Sequence, residues 1–452
     1  MKQYKRFSTR ASLGVIGITM NKMGIWDEIE RGVHIKQKVI KHRPIDKLKD
    51  VLINILVGGH GIVEVNRRVR TDPALQRAFG RRACAEQSTI SETLNACNAE
   101  NVRQLKQAIK ALYQRYGRGF QHDYERKLQV IDIDMTGLVA GRLAEQATKG
   151  YFSGAHNRRG RQLGRVLATK YAEIVTEKLY AGTVQLDQNL QELVREAEEV
   201  LELDEACRKR TIIRIDGGGG KDADLNWLLQ RGSWVIAKVK NWQRARKLAQ
   251  TVETWYPDAK EAGREYGWVE RPYEYQGATR QVAIRSPKEG QWHYQILVFN
   301  LCDEMIFELA HFPSPQTLSD QQILAMVLCA YDLRGGGIET ANRDSKQGLG
   351  LNKRNKRCFA AQEILTLLAQ LAFNLIVWVR VQLAQHNPHL AHFGMLRMVR
   401  DVFQIPGLFQ FDQAHQIISI RLSRDHDLAA TIQQWYQHTF AADEMSPILG
   451  KI

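Results

Sequence analysis

The chain has no Cys-x-x-Cys pair; its six cysteines are scattered through 452 residues. That spacing argues against a zinc ribbon or a disulfide scaffold and fits a reducing cytosol. Lys2, Lys5, Arg6 and Arg10 precede an apolar stretch at 11–20, but no Ala-x-Ala cleavage site follows it. The stretch therefore reads as part of the first domain rather than as a signal peptide. No apolar run reaches the roughly 20 residues needed to span a bilayer. The most apolar one, residues 371–379 (LAFNLIVWV), reads as a buried helix, and no membrane partner is expected. Repeats and low-complexity tracts are absent as well. With 44% apolar and 25% charged residues, wholesale disorder is excluded. Acids are in deficit, since 49 Asp and Glu face 64 Lys and Arg, for a formal charge of +15. Such an excess attracts phosphate backbones without regard to sequence, although a merely basic soluble protein would show it too. The length suggests about three folding units.

Residues 1–122 read as a helical, DNA-binding region. Val102, Leu105, Ala108, Ile109, Leu112 and Tyr116 carry a helical apolar period that ends at Gly117, a good residue for a helix terminus. Upstream, QSTISETLN sets Thr89 and Glu92 at capping-box spacing. A short polar helix after a tight connection is what a helix-turn-helix presents to DNA, which makes Thr89 and Ser91 candidate contacts. An ordinary bundle with a surface helix fits the same pattern, and both readings stay open.

The period then changes. Residues 128–134 form a β-branched strand ending in carboxylates, with a second and third strand at 169–178 and 179–185. A helix at 187–209, a strand at 211–216, a helix at 222–231 and a strand at 234–239 follow. The predicted class is a mixed α/β layer spanning 123–245, with Asp134 and Asp216 at the ends of separate strands. Residues 246–315 read as a β-rich insertion. Residues 316–385 return to the core, with Ser319 and Gln322 opening a new helix, and 386–452 form a C-terminal α/β extension.

Three segments carry the chemistry: VIDIDMTGL at 130–138, RIDGGGG at 214–220 and YDLRGGGIETANRDSK at 331–346. Asp134, Asp216 and Glu339, brought together, would repel unless cations neutralise them. Their hard oxygens suit Mg²⁺ or Mn²⁺ rather than zinc. Two such ions about 4 Å apart can drive an in-line phosphoryl transfer.

These pieces resemble the DDE transposases of bacterial insertion sequences, in the group whose glutamate lies in a Tyr-Arg-Glu-Lys signature. Asp134-Met135-Thr136 is similar to the family's Asp-x-Thr pattern, and Asp216-Gly217 followed by RGSWVIAKVK to its second motif. Tyr331, Arg334, Glu339 and Lys346 are similar to its third, and DPALQRAFG and LAFNLIVWVR to flanking parts. The resemblance implies an RNase H-like core in which Asp134, Asp216 and Glu339 hold two ions. Tyr331, Arg334 and Lys346 would then steady phosphates. It also implies a homodimer that binds terminal inverted repeats, cleaves the element ends and joins 3′ ends to target DNA in the bacterial cytoplasm at the nucleoid. Excision through a DNA hairpin is a route such relatives use.

One departure matters. The family places three residues between the arginine and the glutamate, whereas Gly335, Gly336, Gly337 and Ile338 make four here. On an unbroken helix this turns Glu339 about 140° away from Arg334. A π-bulge at the glycines would absorb one residue and restore alignment, so the spacing predicts one.

Asp132 shares a face with Asp134 and competes with it, but only Asp134 sits in the Asp-x-Thr pattern. Asp132 then reads as a supporting or solvent-facing group. Asp222 and Asp224 read as first-turn acids of a helix. The 217–220 glycine tract lacks a Gly-Lys-Ser/Thr ending and reads as a flexible turn, so no nucleotide cofactor is expected. His386, His389 and His392 read as a surface loop, and Trp227, Trp234 and Trp242 as core or insertion-interface residues. Basic runs flank the acids: Arg158, Arg159, Arg161 and Arg165; Lys240, Arg244, Arg246 and Lys247; Lys353, Arg354, Lys356 and Arg357. From these, Arg158, Arg159, Arg161, Lys240, Lys353 and Arg354 are candidate DNA contacts, together with Arg343 beside the third motif. A nuclease or resolvase with the same carboxylates, or a transposase-derived DNA-binding protein without catalysis, are the rival readings.

Overall fold

The computed structural model describes residues 3–39, 41–152, 155–312, 318–439 and 448–451. It divides into two compact units, one of Arg118–Gly137 with Thr148–Ala341, the other of Met1–Gly117, Leu138–Ala147 and Asn342–Ile452. In chain order the strands are β1 (Tyr4–Ser8), β2 (Gln129–Val139), β3 (Thr148–Phe152), β4 (Ala155–Ala168), β5 (Glu173–Ala181), β6 (Thr211–Ile215) and β7 (Trp234–Lys238). They continue with β8 (Tyr256–Pro257), β9 (Glu265–Trp268), β10 (Arg280–Lys288), β11 (Gln291–Phe299), β12 (Gly407–Phe411), β13 (Ile417–Leu422) and β14 (Ile448–Lys451).

The mixed α/β class holds. The unit containing 148–341 is built on one sheet in the order β3-β4-β2-β6-β7-β11-β10-β9-β8, with β5 paired to β4. At its centre β2, β6 and β7 run parallel. Parallel strands are covered on both faces, which is why TIIRI and WVIAK read as nearly continuous apolar runs. Positions Val130, Ile212, Ile236, Leu297 and Phe299 form one face and pack against Ile306 and Leu309 of helix Asp303–Ala310 and Leu324, Val327 and Tyr331 of helix Asp320–Arg334. The latter helix begins with the expected Ser319–Gln322 capping box. Segment 246–315 contributes β8–β11, and antiparallel pairing of β11 with β7 makes these strands a continuation of the main sheet.

One strand was misplaced. The basic run at 156–165 lies in β4, not in a loop, and β4 pairs antiparallel with β5 across a turn at Thr169–Tyr171, where a strand was expected. From Gly160 to Ala168 every residue of β4 is buried, so both faces of the strand are covered there. Arg161 and Arg165 are each only 1% exposed, and Arg165 is held by Glu177 (Nε–Oε1 2.5 Å).

In the other unit, β1 pairs with β12 and extends it to β13 and β14, so the N-terminal helical region and the C-terminal segment share a sheet. Helix Phe359–Ala384 is long and apolar enough to cross a membrane by composition, but 89% of its most apolar window is buried. It packs on helices Pro44–Leu56 and Ala99–Tyr116, which agrees with a core role. Helix Gln87–Ala96 starts before Thr89, so that residue is not a cap; its carbonyl accepts from the Thr93 hydroxyl at 3.2 Å. Gly117 is required for proximity rather than for a left-handed turn: a Cβ there would lie 2.5 Å from the Tyr113 carbonyl oxygen.

Candidate active site

Register sets the first part of the site. Across the parallel trio, Asp132 stands beside Arg214 and Ile236, and Ile133 beside Ile215 and Ala237. One residue further along each strand come Asp134, Asp216 and Lys238, side by side at roughly the 4.8 Å strand spacing and on the face the Asp320–Arg334 helix covers. The lower row is charge-balanced. Asp132 is fully buried between Arg214 (Nε–Oδ1 2.6 Å, Nη2–Oδ2 2.9 Å) and the Thr169 hydroxyl (2.7 Å). The Arg214 guanidinium also donates to the Ala330 carbonyl at 2.6 Å, tying the pair to the covering helix. Asp132 is therefore a structural partner. The upper row sets two carboxylates next to each other, an arrangement that destabilises a sheet unless something offsets it.

The offset comes from the helix. Between Arg334 and Thr340, residues Gly335–Glu339 form a π-helical turn, the irregularity predicted from the extra residue. The wider turn brings Glu339 back beside Arg334 (Nη1–Oε1 3.1 Å), while Nη2 of the same guanidinium reaches Asp134 (Oδ1 3.2 Å). One glycine of the three has a steric reason. A Cβ on Gly337 would lie 2.7 Å from Asp132 Oδ2 and 2.8 Å from Thr169 Cγ2, whereas nothing lies within 4 Å of one on Gly336. One turn earlier, Tyr331 donates its hydroxyl to Asp216 Oδ1 at 3.1 Å. Lys238 completes the group, with its ammonium 3.9 Å from Asp216 and 5.1 Å above the Tyr331 ring. Sequence reasoning singled out Lys240 and missed Lys238. The period of two from Trp234 and Ile236 could have found it, once the strand's neighbour was known.

The charges bias the two aspartates oppositely. Burial raises the Asp134 carboxyl above the ordinary range; Arg334 opposes this, and the charges of Asp216 and Glu339 add to it. Burial also works to raise Asp216, but Arg334, Lys238, the Gly217 amide and the Tyr331 hydroxyl together hold it below that range. The Tyr331 hydroxyl itself is pushed well up, first by burial and then by Asp216, so it stays protonated and able to donate. Glu339 is the open member, its side chain 61% exposed against 3% for Arg334. From the ends of two central strands and a broken helix, Asp134 and Glu339 are thus paired to one arginine, with Asp216 on the neighbouring strand. The family described as transposase DDE domain, group 1, matches residues 5–438. The chain belongs to this family. Among solved structures, a cryo-EM structure of the piggyBac transposase synaptic complex with hairpin DNA is similar at 10% identity, covering 99% of this chain and 86% of that one with a TM-score of 0.48. No curated protein matches.

The family implies a divalent cation in this transposase. The donor set fits by type, since all three acids offer hard oxygens. It fits by charge too, since the three carboxylates outnumber the two cations beside them, Arg334 and Lys238. Among the described residues no three His, Cys, Asp or Glu side chains already stand close enough to share an ion. The Arg334 guanidinium, bonded to both Asp134 and Glu339, lies between them.

The expected DNA contacts divide sharply. Arg158 is exposed and Arg159 half-buried, but Arg161 is buried with Arg165 in the sheet, which removes it as a contact. Arg354 is removed likewise: it is 2% exposed, donates to the Gly59 carbonyl, and burial pulls its pKa down to about 9. Lys353 beside it is exposed. Lys240 is half-exposed and paired to Asp187 at 2.6 Å, and Arg244 is engaged by Asp222 (Nη1–Oδ2 2.7 Å). Ser91 accepts from Lys356 at 2.5 Å, and Thr89 lines a cleft. Arg343 is exposed and Lys346 half-buried; both belong to the unit that resumes at Asn342. Within the glycine tract a Cβ on Gly220 would lie 1.8 Å from the Lys238 carbonyl oxygen, whereas nothing lies within 4 Å of one on Gly218. Trp242, expected in an interior or interface, is 66% exposed.

Proposed function

We propose that this transposase serves a bacterial insertion sequence: it binds the terminal inverted repeats, cleaves the element ends and joins the 3′ ends to target DNA. Two Mg²⁺ or Mn²⁺ held by Asp134, Asp216 and Glu339 would activate the attacking water or 3′-hydroxyl and stabilise the leaving oxygen. The observation that carries the reading is the pairing of Arg334 with both Asp134 and Glu339 through a π-turn, which draws the acid of the helix to the acids of the sheet. Arg334 keeps two carboxylates from separating. Tyr331 fixes the rotamer of Asp216, and Lys238 adds a positive charge on the side where a phosphate would approach. Exposed Arg158, Arg343 and Lys353 supply backbone contacts, and a homodimer brings two DNA ends together.

The test is a strand-transfer assay with labelled element ends and Mg²⁺ or Mn²⁺. Asp216→Asn and Glu339→Gln are expected to abolish both cleavage and joining while leaving end binding intact. Joining that survives both substitutions overturns the site, and cleavage without joining in the native protein makes it a nuclease.

A further inference from the structure

The unit made of Met1–Gly117, Leu138–Ala147 and Asn342–Ile452 contains a cleft of about 470 Å³, lined from helices Pro44–Leu56 and Gln87–Ala96 and from the residues preceding the first. Its charged lining is four cations, Lys38, Lys41, Lys47 and Arg70, against two carboxylates, Glu86 and Glu92. Three of the cations are exposed. Lys47 is not: it is 3% exposed, and its ammonium donates to one neutral group, Gln37 Oε1 at 3.2 Å. That oxygen is already shared with the Thr93 hydroxyl (2.5 Å). Among the described residues no carboxylate lies within ion-pair distance of any of the four cations.

A buried ammonium has three protons to place and a desolvation cost that a neutral acceptor does not offset. Burial accordingly pulls the Lys47 pKa down, with only the Glu92 charge opposing. His42, also on the wall, is held below its ordinary range by burial and by Arg81, so it adds no fixed charge. The cleft is therefore a hollow of net positive charge, whose two lining carboxylates, Glu86 and Glu92, stand beyond ion-pair distance of its four cations. Thr89 stands on the same wall with a hydroxyl to contribute.

We propose that this cleft is a phosphate-binding site, occupied in the working protein by a phosphodiester of the DNA backbone. The choice of DNA as the phosphate's source rests on the transposase reading. The full chain would be titrated with inorganic phosphate against chloride at constant ionic strength, following Tm. Duplex binding would be measured over a salt series in parallel. Phosphate is expected to raise the Tm of the native protein and to do so far less in Lys41→Ala, Arg70→Ala and Lys47→Gln. The exposed pair of variants guards against misfolding at the buried site. Each is also expected to flatten the slope of log K against log salt by about 0.9. An equal phosphate response in native and variant proteins, meaning an adventitious ion only, overturns the site, as does no response in the native protein. Loss of the response with an unchanged salt slope overturns the DNA backbone as its source. Failure of strand transfer beside a normal phosphate response removes the functional reading and leaves the site standing.

Discussion

Replacing Gly337 with alanine adds one methyl group at the closest approach of the π-turn to the sheet. The new Cβ would meet Asp132 Oδ2 at 2.7 Å and Thr169 Cγ2 at 2.8 Å, and both atoms are held: Asp132 by Arg214, Thr169 by its bond to Asp132. Neither can retreat without breaking a buried ion pair. Overpacking of this kind costs about 1–3 kcal/mol. Gly336, one residue earlier, is the internal control, because a Cβ there meets nothing within 4 Å. At both positions alanine recovers about 0.5–1 kcal/mol of helical backbone entropy. The entropy gain cancels in the comparison, so Gly337→Ala should be about 1–3 kcal/mol less stable than Gly336→Ala. At roughly 2–4 °C per kcal/mol, that is a gap of about 2–12 °C in Tm. The clash also pushes the turn that carries Glu339 away from the sheet, so cleavage should fall in Gly337→Ala beyond any loss of folded protein. Gly336→Ala should cleave normally. Thermal unfolding and an end-cleavage assay on the two variants suffice. Equal Tm values would show that the helix does not approach the sheet as described.

Other consequences can be checked singly. Asp132→Ala strands the Arg214 charge in the core and should cost about 3–5 kcal/mol by urea unfolding. Asp134→Asn should instead keep or gain stability while abolishing cleavage, a contrast that separates the structural aspartate from the functional one. The same substitution changes the pH dependence. Because the native Asp134 carboxyl titrates above its unfolded value of about 3.9, its contribution to stability falls as pH rises from there through the raised native value. Asparagine should flatten that limb. Asp216 has the opposite sign: its contribution is present above the unfolded value and lost as pH falls through the lowered native one. Lys238→Met should raise the Asp216 carboxyl and weaken cleavage with little loss of fold, read from chemical-shift titration and product yield. Arg165→Ala should cost about 3–5 kcal/mol by breaking its buried pair with Glu177, whereas Arg158→Ala should stay within about 0.5 kcal/mol and reduce the salt slope of DNA binding.

Much of this molecule is written in local pattern. The ends of β6, β7 and helix Asp222–Gln230, the capping box at Ser319 and the buried character of Phe359–Ala384 follow from apolar spacing, and spacing is a property of consecutive residues. Even the π-turn was legible, because one surplus residue between Arg334 and Glu339 has few ways to be absorbed in a helix. Pairing between distant segments was not legible. Whether an arginine in a basic run meets solvent or a glutamate depends on which strand lies beside it, as Arg161 and Arg165 show against Arg158. Lys238 joined the site only because β7 lies next to β6 in a register that sets it beside Asp216, and Asp132 left it because the same register gave it Arg214. Which residues could do the chemistry, and the period on which they are carried, follow from the order of amino acids alone. Tertiary structure alone decided which of two aspartates is neutralised and which cations are spent on the core. A charge's role is set by what stands across from it, and that neighbour comes from far away in the chain.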